Sequence, residues 1–299
     1  MRHLLAAMRR LLHLGVAICL VGWLAWRYGS VISLFGAVTP AIPNPEDGKV
    51  ANGIYSNDYF GLSYPLPKGW AEGLAGPEPS HFGYYALRTL IPHEERDANI
   101  LIAAQDMFFA EKPLSSAVEA AGDFRRAMYE IEGMTIDREP LELRIADHTV
   151  ERVDFSGVGL YRSMFVTEAR CHLVSFNLTT RDPERLASLT LSVNGLSFAN
   201  GKGAPSSASA CVKNYAVPEN LLRKVEPAIT GSNFVPIPVR ITIGIDGNVK
   251  HIHVIRATAE QRKSIEHALA QWQFRPYETQ GRAVEIETGI VFQQKQMGM

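Results

Sequence analysis

The sequence predicts an α+β protein with a mainly antiparallel sheet, set behind an N-terminal membrane segment and divided into two folded regions. Three observations predict it. Short alternating strands outnumber amphipathic helices. A basic, apolar run opens the chain. Two stretches rich in proline, glycine and small residues, 39–53 and 200–212, interrupt it as linkers.

With 46% hydrophobic and 20% charged residues in 299, the composition is that of a globular chain of about two domains. A net charge of −1 gives no global field to draw nucleic acid. Arg125, Arg126 and Arg144 lack the aromatic interleaving of a nucleic-acid surface.

Arg2, Arg9 and Arg10 precede an apolar run over 11–26, and Arg27 closes it. Its sixteen residues rise about 24 Å, a little less than a bilayer core of about 30 Å. Arg27 can snorkel, and the apolar stretch 28–38 lengthens the insertion. The basic flank places the N-terminus in the cytoplasm and the rest outside. Trp23, Trp26 and Arg27 suit an interfacial anchor, and no A-x-A site follows. The reading is a single-pass anchor in a bacterial inner membrane with periplasmic domains. A cleaved signal peptide is the alternative, and it exports the same residues.

The first region, 54–199, opens with a hairpin over 54–64 that turns near Asn57 and Asp58, and Pro65, Pro67 and Gly69 end it. Residues 99–109 contain the apolar run 100–104 of a buried strand. Ser116 and Glu119 form a capping box ahead of a helix with Val118, Ala121, Met128 and Ile131 on its apolar face. Strands follow over 150–155, 160–166 and 171–180. Asp182 then caps a helix with Pro183 at its first position, Leu186, Leu189 and Val193 on one face and Gly195 at its end. The opening aromatic hairpin with Pro65, Pro67, Gly69 and Trp70 resembles that of PsbP-like domains, which implies a sandwich of helices on a central sheet.

The last region, 213–299, begins with the faultless alternation of 239–245, which buries one strand face. Asp246 and Gly247 form the preferred type I′ turn, and 249–255 returns. Thr258 and Gln261 make a capping box, and Ile265, Ala268, Leu269 and Trp272 form one helical stripe that must cover the sheet. Pro276 stops the helix, Gly281 turns the chain, and 283–292 is a last strand. The 239–245 strand, the Asp246–Gly247 turn, Trp272, Phe274, Pro276, Gly281, Val284 and Phe292 together resemble the C-terminal domain of the TonB energy-transducer family. That resemblance implies a ββαβ fold and capture of a protein partner, such as an outer-membrane protein, by strand addition. The strand it points to carries Val284, Ile286, Thr288, Ile290 and Phe292. Unpaired N–H and C=O groups on an edge are a template for another strand, from a partner or from a second copy in a homodimer.

The resemblance stops short of energy coupling. Arg9 stands four positions before His13, where the family's span carries a serine paired with a histidine. The Tyr–Pro opening has only Tyr215 and Pro218 as stand-ins, and the 39–53 linker reaches at most about 50 Å. The expectation is a protein that does not energise transport.

No residue pattern implies an enzyme or a cofactor. Neither G-x-S-x-G nor H-E-x-x-H occurs, and Gly157 and Gly159 precede no helix that would hold phosphate. His251 and His253 share a strand face without a third metal ligand, which reads as a solvated face. Cys19, Cys171 and Cys211 have no zinc spacing. Cys171 and Cys211 are candidates for an exported disulfide. The sequence therefore predicts a non-enzymatic, anchored periplasmic protein-binding protein. A small-ligand-binding protein using 54–199, or a structural envelope protein, are the alternatives.

Overall fold

The computed structural model describes residues 43–293 other than 75, 95–96, 113–114, 146–147, 199–208 and 230–234. The membrane segment expected at 11–26, the first part of the 39–53 linker and most of the 200–212 linker lie outside the described residues. No helix among the described residues is long and apolar enough to cross a membrane.

The architecture is α+β and its sheets are mostly antiparallel. The opening hairpin is part of a meander of β1 (Lys49–Ala51), β2 (Ile54–Asn57) and β3 (Leu62–Pro65), closed by β11 (Ser197–Phe198) against β3. Lys49–Ala51 was expected in a linker; it pairs with β2 through an Asn52–Gly53 turn in which both residues have positive φ.

The main sheet has seven strands in the order β4-β5-β6-β10-β9-β8-β7. They are β4 (Trp70–Glu72), β5 (Tyr84–Pro92), β6 (Ala98–Asp106), β7 (Met134–Ile145), β8 (His148–Gly157), β9 (Leu160–Ala169) and β10 (His172–Thr180). Strand alternation gives each face its own core. On one side Ile100, Ile102, Val174, Phe176 and Leu178 pack with Tyr55 and Tyr64 of the meander and with Leu189 of α2 (Pro183–Ser192). On the other, Val153, Phe155, Met164 and Leu173 pack under α1 (Ala117–Tyr129).

Local chemistry accounts for the helix ends. Ser116 Oγ accepts from Glu119 N at 3.1 Å. The Glu119 carboxylate bonds to Ser115, so only half of the expected box forms. The buried positions are Ala117 and Ala121, with Phe124 and Met128 packed alongside at helical spacing. Val118 and Ile131 are 59% and 48% exposed and do not belong to that face. Strand β7 had no sequence signal. It is an edge strand with Pro140, charged neighbours on both faces and two register shifts, features that blunt an edge.

The C-terminal sheet has the order β12-β19-β14-β15, from β12 (Ala210–Cys211), β14 (Ile237–Ile243), β15 (Val249–Val254) and β19 (Ile286–Phe292). α3 (Ala259–Leu269) covers it, with both bonds of the Thr258–Gln261 box present. Ile265, Leu269 and Trp272 are buried against Val239, Ile241 and Ile243. Trp272 Nε1 donates to the Val225 carbonyl at 2.7 Å. Two ribbons flank this unit: β13 (Leu221–Arg223) pairs with β16 (Gln273–Phe274), and β17 (Tyr277–Thr279) with β18 (Arg282–Val284).

Two expectations are corrected. All seven residues of β14 are buried, so both of its faces are covered. The β14–β15 turn is not type I′, because Gly247 alone has positive φ, at 77°. Gly247 N bonds to Gly244 O and Gly244 N to Asn248 O, which describes a wider loop with a left-handed glycine. A Cβ on Gly247 would lie 2.1 Å from the Phe274 carbonyl oxygen, whereas Gly281, at φ 73°, has open space. Gly247→Ala is expected to cost about 2–3 kcal/mol and Gly281→Ala about 1 kcal/mol in urea unfolding.

Candidate functional site

The second face of the C-terminal sheet rests on one end of the seven-stranded sheet, and charge holds the contact together. Arg240, from the middle of β14, is 2% exposed. Its guanidinium meets Asp106 at the end of β6, with Nη2 2.6 Å and Nε 3.0 Å from Oδ2. Nη1 lies 2.7 Å from Glu287 Oε2 on β19. Arg170 Nη2 reaches the other Glu287 oxygen at 2.6 Å. Two guanidinium groups thus face two carboxylates. Phe108 lies under Arg240 and Tyr59 under Arg170, at 4.5 and 4.1 Å from ring centre to guanidinium carbon.

Burial sets the protonation states. It pushes the Asp106 carboxyl up, while Arg240 and the Phe108 N–H oppose it. For Glu287 the two guanidinium groups outweigh burial and hold the carboxyl below its usual range. Burial also works against the Arg240 charge, but the adjoining Asp106 wins, so Arg240 stays protonated. His172 is fully buried beside them and held well below its usual range by burial and by Arg240. Its Nδ1 lies 2.7 Å from the Arg170 carbonyl, so it donates there and leaves Nε2 bare, 3.6 Å from Asp106. Tyr59 Oη, Tyr85 Oη, His172 Nε2 and His253 Nδ1 find no hydrogen-bond partner among the described residues.

His251 and His253 were expected on a solvated strand face. They sit at the junction instead. His253 is buried, stacked on Tyr85 and 3.2 Å from Glu46. His251 is lowered to about 4 by burial and by the neighbouring His253 and Arg170. No group of three metal-binding side chains occurs among the described residues.

Cys171 and Cys211 are joined by a disulfide with Cα atoms 5.6 Å apart. Arg170 and Cys171 are the two central residues of the β9–β10 hairpin, and both have positive φ, at 48° and 59°. Side chains other than glycine rarely adopt that conformation. Arg170 is held by Glu287 and by the Tyr59 carbonyl, and Cys171 by the bridge. The bridge also carries β12, which pairs in parallel with the start of β19, where Ala210 N and Val212 N donate to the Glu285 and Glu287 carbonyls.

That pairing covers the start of the strand expected to bind a partner. Val284 belongs to β18 and pairs with Tyr277. Ile286 is covered by β12 and fully buried. Thr288 is buried too, and its hydroxyl accepts from Tyr215 N at 3.2 Å. Ile290 and Phe292 turn their side chains into the core beneath α3. The odd-numbered residues are placed differently. The Glu285 and Glu287 carbonyls point at β12, so strand alternation turns the N–H and C=O of Gly289 and Val291 to the same edge, beyond the end of β12. Val291 is 45% exposed. A Cβ on Gly289 would lie 2.8 Å from Phe108 Cβ, so glycine permits the close approach of the two halves.

Two cavities lie nearby in the fold. One of about 480 Å³ is walled by Met107, Phe108, Ala169 and the disulfide, with Arg170 and Lys213 at its rim. A second, of about 270 Å³, opens on the main sheet beside α1, between Tyr84, Phe124, Phe155, Arg162 and Asn177.

No protein-family model matches the chain, and no curated protein matches it. Solved structures do resemble parts of it. Cyanobacterial PsbP (CyanoP) from Synechocystis sp. PCC 6803 is 14% identical with a TM-score of 0.37, covering 56% of this chain and 100% of that one. The TonB C-terminal domain of Pseudomonas aeruginosa is 21% identical with a TM-score of 0.24, covering 29% and 96%. LpqN of Mycobacterium tuberculosis, described as involved in cell envelope biogenesis, is 11% identical with a TM-score of 0.30, covering 46% and 82%. The PsbP and TonB resemblances of the sequence are both represented among these structures.

Removing Arg240 leaves the buried Asp106 without a cation and Glu287 with Arg170 alone, so Arg240→Met is expected to cost about 3–5 kcal/mol in chemical unfolding. Acid should weaken the same junction. His251 titrates near 6.5 when unfolded and at about 4 when folded, so the unfolded chain binds the proton first as pH falls. Its contribution to stability is intact above about pH 6.5 and lost on the way down to about 4. His172 acts in the same direction, and the raised Asp106 in the opposite one. His251→Gln is expected to shrink the loss of stability between pH 7 and pH 5, read by urea unfolding against the parent protein at each pH.

Proposed function

We propose that this is a non-enzymatic, anchored periplasmic protein that captures an extended segment of another envelope protein by strand addition along the Gly289–Val291 edge. The observation that carries the reading is the end of β19, which has no pairing partner on its outer side among the described residues. β12 satisfies the edge only as far as Glu287, and beyond it the N–H and C=O groups of Gly289 and Val291 face outwards. Other edges are less suitable. β7 is charged and bulged, and in β15 His253 and Val254 are buried while Val254 O accepts from Arg262. The sequence resemblance to TonB C-terminal domains supports strand addition, the disulfide suits an oxidising compartment, and the basic–apolar start of the chain supports the anchor.

A photo-crosslinking residue at position 291 in living cells tests the proposal. It is expected to trap one envelope protein through an extended segment. Val291→Pro removes the outward N–H while leaving the β14 ladder intact, since proline is tolerated where an edge N–H faces solvent. It should abolish capture by a neighbouring reporter at position 293 with little loss of stability. Capture that survives Val291→Pro would overturn strand addition.

The 270 Å³ cleft supports a second reading, a small-ligand site in the first region. It combines an aromatic floor with Arg162 and the Asn177 amide. Under that reading, Asn177→Leu abolishes ligand-dependent thermal shifts while capture at position 291 is unchanged.

A further inference from the structure

The larger cavity is lined by residues that adjoin the strand carrying the open edge. Phe108 lines the cavity and is also the residue that Gly289 approaches most closely. Cys211 lines it and pairs with Glu287 on the edge strand. A strand lying against Gly289 and Val291 therefore runs past its mouth. At about 480 Å³ the cavity falls within the range of pockets that hold small ligands, about 300–1,000 Å³.

Its walls define what fits. Met107, Phe108, Ala169 and the disulfide are apolar and polarisable, so they suit a bulky apolar or aromatic side chain. The charged groups are not equivalent. Glu168 Oε1 already accepts from Ala117 N at the start of α1, 2.9 Å away. Arg170 is committed to Glu287 and to the Tyr59 carbonyl. Lys213 is exposed. Glu168 keeps its negative charge, and Lys213 is the cation at the rim without an ionic partner among the described residues.

We infer that this cavity is the specificity pocket of the strand-capture edge. It accepts a bulky apolar side chain of the incoming segment, and Lys213 pairs with an acidic residue next to it. This rests on the strand-addition reading. The preferred partner segment is extended, with an aromatic residue followed by a carboxylate.

The test uses the full-length protein and three fluorescein-labelled eight-residue peptides. Each has alternating threonine and valine around a central pair, Phe–Glu, Ala–Glu or Phe–Lys. Phe–Glu is expected to bind at least about tenfold more tightly than Ala–Glu, from burial of the ring. It should bind about threefold to fivefold more tightly than Phe–Lys, from the exposed ion pair. Ser115→Trp fills the cavity from its exposed rim and should erase the preference for phenylalanine. Lys213→Glu should reverse the preference between glutamate and lysine. Val291→Pro should remove all peptide binding. If all three peptides bind equally and only Val291→Pro matters, the pocket inference is overturned while strand capture stands. If no peptide binds, yet 4-phenylbutyrate alone binds and Ser115→Trp blocks it, the cavity is a small-molecule site and both strand capture and this inference fall.

Discussion

Arg240 carries a permanent charge at a place that water does not reach, and that constraint organises the molecule. A buried guanidinium is tolerated only where carboxylates meet it with good geometry. Asp106 and Glu287 do so from the ends of two different sheets. Each carboxylate in turn depends on further donors: Asp106 on the Phe108 N–H, Glu287 on Arg170 and Ser209. The result is a closed set of charges whose members come from both halves of the chain. An apolar contact tolerates sliding; a set of short directional bonds fixes the register between the sheets.

The same register decides which part of β19 is free. Because Glu287 faces the junction, its neighbours at even positions face α3, and the core consumes Ile286 and Thr288. The bridge to Cys171 holds β12 against the first residues of the strand. What is left is a short free edge beside a cavity, framed by the first region.

Elements with strong local periodicity were legible in the sequence. The stripe through Ile265, Leu269 and Trp272, the Thr258–Gln261 box and the strands around Phe176 and Ile102 all form where expected. β7 was not legible, because an edge strand with Pro140 and mixed charges has neither alternation nor β-branched enrichment. The junction was not legible either. Alternation in 239–245 shows one apolar face, and Arg240 and Thr242 read as its solvent side; only a second sheet in contact makes them interior. A lone arginine in the middle of a β-branched strand, with a glutamate at Glu287 on the strand paired with it, was the available signal. The division of labour along β19 was illegible for a related reason: in a strand buried on one side the apolar residues Ile286, Ile290 and Phe292 face the core, and which backbone groups are left at the edge depends on β12, a two-residue strand without periodicity.

The Arg170–Cys171 hairpin has a bearing on how the protein is made. The Asn52–Gly53, Val158–Gly159 and Gln280–Gly281 pairs at positive φ each include a glycine, and this one does not. Its two left-handed residues are held by Glu287 and Cys211, which lie about 40 to 120 residues further along the chain. When synthesis or export delivers the chain from its N-terminus, the first region emerges with Arg170 held by Tyr59 alone and Cys171 not yet bridged. The last two restraints on the corner come with β12 and β19. The two halves are thus tied together, by one covalent bond and one ion pair, at a corner that the N-terminal half restrains only in part by itself.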